Sequence, residues 1–220
     1  MSNKALPVPQ ELKEFNSCFF EFEYKHDLNR VFEDFLTIVI CCYGFGTNED
    51  LYFETIKPYS KEELNKFAKL LALLMGAYGE AHAKNEWIDP LGNYYEFLTG
   101  NYKKSRLGQY FTPPELCDMM AQMIIEPNDF GKKVGEPCSG SGRMVLAADH
   151  IAKGNYYVCQ DKDLICAKMT AINLAMHGIK AEVHCMDTIR MNDLRASYYI
   201  NYEYWKLKTP HIVQKKSPSY

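Results

Sequence analysis

The chain has 220 residues, 47% apolar and 24% charged, with a formal net charge of −3. That length supports a sizeable core in one large domain or two small ones, and the charge excludes a globally basic nucleic-acid binder, so any phosphate contact would come from a local patch. The eight cysteines show no C-x-x-C spacing and no histidine at zinc-ligand spacing, so no metal site is read and reduced thiols are expected. The opening ten residues carry no apolar signal stretch and the longest apolar run, Phe35 to Phe45, is too short to cross a bilayer. A cytoplasmic protein with no membrane association is expected.

The first half reads as helical. Leu28, Val31, Phe32, Phe35, Leu36 and Val39 follow the spacing of one helix face, and Gly44 and Gly46 end that helix. Ser60 and Glu63 form a capping box for the next one, whose stripe is Leu64, Phe67, Leu71, Leu74 and Tyr78. The Gly-, Asn- and Tyr-rich segment from Trp87 to Gln109 reads as a connector with a short helix around Tyr94 to Leu98. Lys103, Lys104 and Arg106 in it form a small basic cluster that reads as solvated surface.

From Tyr110 onward helix and strand alternate. Thr112 is placed as N-cap, Pro113 at the first helical position and Glu115 as the capping-box acid, with Leu116, Met119, Met120 and Met123 expected in the core. Strands are expected at Lys133 to Glu136, Tyr156 to Asp161 and Ala181 to Asp187, with a helix running into Gly178 before the third. This order predicts a parallel α/β sheet. The expected organisation is a helical N-terminal domain over 1–107 and a ligand-binding α/β domain over 108–220.

In such a sheet, ligands sit outside the carboxyl ends of the strands. Three successive strands end in an acid: Glu136, Asp161 and Asp187. The first runs into Cys138-Ser139-Gly140-Ser141-Gly142-Arg143, and the second acid lies about 20 residues past the loop, where a ribose-binding acid is expected. The loop matches neither the dinucleotide fingerprint nor a P-loop, so a pyrophosphate ligand is disfavoured. A nucleoside with a small polar tail fits better, and the helix start near Thr112 suits a carboxylate. S-adenosylmethionine has both parts.

Four segments carry a family resemblance: "LGQYFTPPELCDMMAQMI", "EPCSGSGRMVLAA", "CQDKDLICAKMTAINLAMHGI" and "VHCMDTI". Together with "DPLGNYYEFLTG" they resemble the successive motifs of the N6-adenine DNA methyltransferases of type I restriction–modification systems, over roughly residues 89 to 190. The resemblance implies a Rossmann-like class I methyltransferase sheet preceded by a helical domain, with S-adenosyl-L-methionine as cofactor. It places Gln109, Tyr110, Phe111, Thr112 and Pro113 beside the methionine end of the cofactor, and Gly140, Ser141 and Gly142 beneath it. Asp161 would accept from the ribose hydroxyls and Asp187 from the adenine amino group. Glu136 stands where the family usually has Asp. Asn173, His177 and His184 read as packing or surface residues, and Cys138 has no partner to activate it.

The resemblance also implies an Asn/Asp-Pro-Pro-Tyr/Phe clamp for the flipped base, and nothing between Thr188 and Tyr220 reads so. "SPSY" at Ser217 to Tyr220 is a poor substitute. The α/β domain is therefore expected to be C-terminally truncated, and no catalytic residue is assigned. Downstream, Ile200, Tyr202 and Tyr204 alternate as in a strand, and Lys206, Lys208, Lys215 and Lys216 face a single acid, Glu203. Lysines interleaved with aromatics suit a single strand, a protein-facing edge or a solvated tail. Three readings remain open: an adenine methyltransferase or its cofactor-binding part, weak or inactive alone; a non-catalytic regulator or subunit in DNA modification; and a methyltransferase for RNA or protein. DNA and a protein subunit supplying target recognition are the expected partners.

Overall fold

The computed structural model describes residues 7–102 and 110–215. Five helices come first: α1 (Lys13–Phe20), α2 (Leu28–Cys42), α3 (Glu49–Ile56), α4 (Lys61–Ala83) and α5 (Pro90–Tyr102). Local chemistry sets their starts. Asp27 accepts from the Arg30 N–H at 3.0 Å to cap α2, and the Ser60–Glu63 capping box opens α4 as expected. The apolar stripe of α2 is buried throughout. Among the tyrosines of α5, Tyr94 packs edge-on at 4.9 Å from Phe15 and 5.3 Å from Phe19. Within the expected connector, Pro90–Tyr102 is thus a 13-residue helix whose aromatic face is core. Its glycines and asparagines are outweighed by that burial.

The α/β half runs α6 (Pro114–Ile124), β1 (Lys133–Glu136), α7 (Arg143–Ile151), β2 (Tyr156–Asp161), α8 (Leu164–Met176), β3 (Ala181–Asp187), β4 (Asn192–Ile200), α9 (Tyr204–Leu207) and β5 (Ile212–Lys215). The strands form one sheet in the order β1-β2-β3-β4-β5. The first three are parallel, with the bounds expected from the sequence. The last two are antiparallel additions, and Tyr202 and Tyr204 lie beyond the strand that ends at Ile200. The fold is α/β, with a Rossmann-like sheet preceded by helices. One hydrophobic cluster runs from Leu12 in the helical half to Ile212 in β5. The boundary expected at residue 107, the basic cluster Lys103, Lys104 and Arg106, and "SPSY" lie outside the described residues.

The two sheet faces differ. Tyr157, Cys159, Ala181, Val183, Cys185, Tyr198, Ile200 and Ile212 are buried on one face, where α8 packs. Tyr156, Val158, Glu182, His184, Tyr199 and Val213 alternate with them and are only half-buried. A second correction concerns α6. It starts one residue later than expected, with Pro113 as N-cap at ψ 144° and no side-chain cap, because a residue preceding proline is pushed out of the helical region. Its methionines are not core: Met119 is 52% exposed and Met123 79%. The helix packs instead through Cys117 and Ala121 onto Ala147 of α7, small residues that allow close approach.

Candidate cofactor cleft

The turn after β1 is shaped by two left-handed glycines, Gly140 at φ 56° and Gly142 at φ 97°. A Cβ on Gly140 would fall 3.0 Å from the Phe111 ring, so the missing side chain lets the segment before α6 close over the loop. Asp161, at the end of β2, fixes the same turn. Its Oδ2 accepts from the Gly140 N–H at 2.8 Å and its Oδ1 from the Asp163 N–H at 2.8 Å. Burial raises its pKa, and these backbone donors oppose the rise. Thr170 of α8 donates to the Gly140 carbonyl at 2.9 Å.

These elements enclose a cleft of about 180 Å³, lined by Tyr110, Phe111, Thr112, Cys138, Ser139, Gly140, Ser141, Arg143, Met144, Asp161 and Cys166. Six of the expected site residues therefore meet in one place: Tyr110, Phe111, Thr112, Gly140, Ser141 and Asp161. Gly142 lies just behind, against Thr170, as the N-cap of α7. Pro113 caps α6 next to Thr112. Gln109 lies outside the described residues.

Glu136 and Asp187 do not line the cleft. The registers explain this: Glu136 pairs with Cys159 and Asp161 with Cys185, so the three acids step diagonally across the strand ends. Glu136 turns back to accept from the Cys138 N–H at 3.2 Å. Asp187 accepts from the Arg190 N–H at 3.0 Å and from Lys162 Nζ at 3.2 Å, and these contacts lower its pKa, the backbone one most.

Beneath the loop lies a network the sequence reading missed. Asp89 is 3% exposed. It accepts from Ser141 Oγ at 2.5 Å, Arg143 Nε at 2.6 Å, Asn173 Nδ2 at 2.7 Å and the Gly92 N–H at 2.8 Å. Arg143 continues to Glu96 at 2.8 Å, Asn93 at 2.9 Å and the Thr112 carbonyl at 3.2 Å, and its guanidinium stands 5.3 Å from the Phe111 ring centre. Asn173 also donates to the Ser141 carbonyl at 2.8 Å and accepts from the Tyr78 hydroxyl. This explains the segment "DPLGNYYEF": Asp89, just before α5, and Asn93 and Glu96 in its first two turns are aimed at the loop. Gly92 leaves room for it, since a Cβ there would fall 2.0 Å from Asp89 Oδ2. The i, i+4, i+7 spacing of those three polar residues was the available signal.

Comparison with known proteins places these residues in a family context. The model of the N-6 DNA Methylase family matches residues 86–203. The type I restriction enzyme MjaVII methylase subunit of Methanocaldococcus jannaschii is 26% identical over 120 residues, 51% of this chain and 20% of that protein. The crystal structure of the type I restriction-modification system methyltransferase subunit from Streptococcus thermophilus aligns at 20% identity with a TM-score of 0.44, over 86% of this chain and 42% of that one. The chain thus spans about a fifth of the length of the curated relative it matches.

Proposed function

We propose, for a chain that belongs to the N-6 DNA methylase family, that the cleft over the glycine loop is its S-adenosyl-L-methionine site and that DNA adenine is the methyl acceptor. The observation that carries this reading is Asp161: a partly buried carboxylate inside the cleft, oriented by two backbone N–H groups. The Lys162 N–H also faces this carboxylate, and its two oxygens together have more acceptor capacity than these backbone donors use, which leaves room for a ribose hydroxyl. The fit has a condition. At about 180 Å³ the cleft is below the roughly 300–1,000 Å³ of sites for drug-sized ligands, so the rim at Tyr110 would have to open to admit an adenosine. Tyr110 is 91% exposed and free to do so.

The bound cofactor would supply an electrophilic methyl group on a sulfonium. The chain's own residues would hold the ribose at Asp161, let the backbone approach at Gly140 and keep the loop rigid through Asp89 and Arg143. The acceptor half is not legible: the sequence from Thr188 to Tyr220 has no Asn-Pro-Pro motif to grip the adenine amine. An exocyclic amine is a weak nucleophile, and extruding a base costs a few kcal/mol that pocket stacking normally offsets. Slow or no transfer by this 220-residue chain alone is therefore expected, with a protein subunit or further chain completing target recognition. The alternative of a non-catalytic subunit in DNA modification draws on the same observation. Thermal denaturation with S-adenosylhomocysteine tests the cofactor reading, since a ligand that binds the native state raises the melting temperature. A tritium-transfer assay on unmethylated DNA tests the second half. No melting shift at millimolar ligand sinks the first, and robust sequence-specific transfer by the purified chain sinks the second.

A further inference from the structure

The half-buried face of the sheet ends in a cleft of about 610 Å³ between the α2–α3 turn and the β4–β5 hairpin. Phe45, Tyr199, Tyr202, Leu207 and Val213 give it apolar walls, and Lys215 stands at its rim. It lies at the opposite end of the sheet from the glycine loop, because Tyr199 and Val213 sit beside the first residues of β3 and the loop faces its last ones. It therefore cannot be the acceptor pocket for the methyl transfer proposed above, and its occupancy is independent of that reading.

Two features mark it as built. Phe45 holds a left-handed backbone at φ 48°, rare for a bulky side chain, and the residue is 58% exposed. The turn thus presents an aromatic ring against both its backbone preference and its hydrophobicity, the kind of strain that gathers at functional sites. The second feature is His211, 3% exposed in the cleft lining. Its Nε2 accepts from the Glu203 N–H at 3.1 Å, so the proton of the neutral ring sits on Nδ1. Burial lowers the pKa of this histidine and keeps it neutral. Nδ1 is buried and has no hydrogen-bond partner among the described residues.

Buried donors without acceptors are uncommon. Here the donor belongs to a residue of the aromatic-walled cleft, which also holds Lys215, whose Nζ lies 4.4 Å from the Tyr199 ring centre. The complement is a ligand that is flat, apolar on its faces, rich in in-plane acceptors and anionic at one side. Phenylalanine side chains have no such acceptors, and tyrosine and tryptophan rings bring mainly donors. A base with its phosphate has every element. We propose that this cleft binds a nucleobase against Phe45, Tyr199 and Tyr202, with His211 Nδ1 donating to an in-plane base acceptor and Lys215 meeting the phosphate. The base could belong to a free nucleotide or to a single strand.

The test uses the full chain labelled with 15N-histidine. Thymidine monophosphate and fluorescein-labelled (dT)12 are the probes, since thymine offers two carbonyl acceptors and avoids the adenosine of the cofactor. The proposal expects the His211 Nδ1 resonance to move on titration. It also expects (dT)12 binding, read by anisotropy, to weaken about tenfold in Phe45→Ala, the order lost with one stacking ring. Lys215→Ala should weaken binding and flatten its salt dependence. Phe45 is exposed enough to remove without unfolding the chain, and circular dichroism verifies that. A response to both probes assigns the site to a base from either source, and a response to (dT)12 alone assigns it to a strand. Silence of His211 with both probes, undiminished (dT)12 binding in Phe45→Ala, or an equal His211 response to phenylalaninamide overturns the proposal.

Discussion

The floor and the mouth of the glycine loop are built from different physics. Below it, Asp89, Arg143, Ser141 and Asn173 are each buried and saturated with partners. Above it, Tyr110 is 91% exposed, and Asp161 keeps acceptor capacity after two backbone bonds. A closed network of buried charges tolerates no missing member, because the remaining charge is left unpaired in a poor dielectric. An open rim can lose a side chain to water. On the proposed cofactor reading the floor serves the integrity of the fold and the mouth the ligand, and substitutions on the two sides should separate accordingly.

The largest effect is expected at Asp89. Asp89→Ala removes the buried counter-charge of the Arg143 guanidinium, whose side chain is only 4% exposed, leaves it the more exposed Glu96 alone, and unpairs Ser141 Oγ and the Gly92 N–H. Breaking a buried pair in this way costs about 3–5 kcal/mol, a large part of the whole stability of a domain. Urea denaturation measures it. Asp89→Ala with Arg143→Ala should cost less than the sum of the two single changes; strict additivity would show that the pair is not coupled. Gly92→Ala ranks next. Its new Cβ would meet Asp89 Oδ2 at 2.0 Å and Ser141 Oγ at 2.6 Å, and overpacking of this kind costs about 1–3 kcal/mol. A neutral Gly92→Ala would mean that the floor is softer than its hydrogen bonds suggest.

The floor also shows where sequence reasoning reached and where it stopped. The bounds of β1, β2 and β3 were legible because Gly131, Gly154 and Gly178 precede them and each ends on an acid. The β3–β4 hairpin was not. It turns through Met191 at φ 52° and Asp193 at φ 56°, with no glycine or proline to announce it. The methionine stripe of α6 has the period of a buried face, yet the helix buries its small residues instead, a choice made by the shape of α7. For the site, the glycines, Asp161 and the Tyr110–Thr112 segment were readable as a motif. The diagonal of the three strand-end acids depends on strand register, which the sequence alone does not carry. Asp89 was hidden because its partners are 52, 54 and 84 residues away along the chain.

Asp161→Ala should invert the pattern of Asp89→Ala. It removes an acceptor from two backbone N–H groups, a modest loss of about 1–2 kcal/mol, but it should abolish most of the melting shift produced by S-adenosylhomocysteine. The pH dependence sharpens this. Burial raises the Asp161 pKa above its ordinary value, so in the window between the two the native chain holds a proton that the unfolded chain has released. The contribution of this group to stability is therefore fully present below the ordinary carboxylate pKa and is lost as pH rises through the raised one. Binding runs the other way, because ribose hydroxyls need the ionised acceptor. The ligand-induced shift should fall as pH drops through the raised pKa, more steeply in the wild type than in Asp161→Ala. Parallel profiles in the two proteins would remove Asp161 from the site.

The smallest effect is expected at Tyr110. With 91% of its surface in water, Tyr110→Ala removes little packing, and substitutions at such positions usually stay within about 0.5 kcal/mol. The unliganded urea midpoint should not move. What should change is the ligand response, in a direction that depends on what the ring does. If it only walls the narrow cleft, its loss opens the entrance, and S-adenosylhomocysteine should bind faster with little change in affinity. If it folds over the bound adenosine, dissociation should quicken and the melting shift should shrink. Stopped-flow association and dissociation rates separate the two, and either is consistent with a residue of the mouth. A drop in unliganded stability comparable to that of Gly92→Ala is not. It would mean that the rim is structurally coupled to the buried floor through Phe111, whose N–H is held by Glu96 at 3.0 Å and whose ring lies under the Arg143 guanidinium. The division between fold and ligand would then run between Phe111 and the solvent rather than between the loop and the cleft.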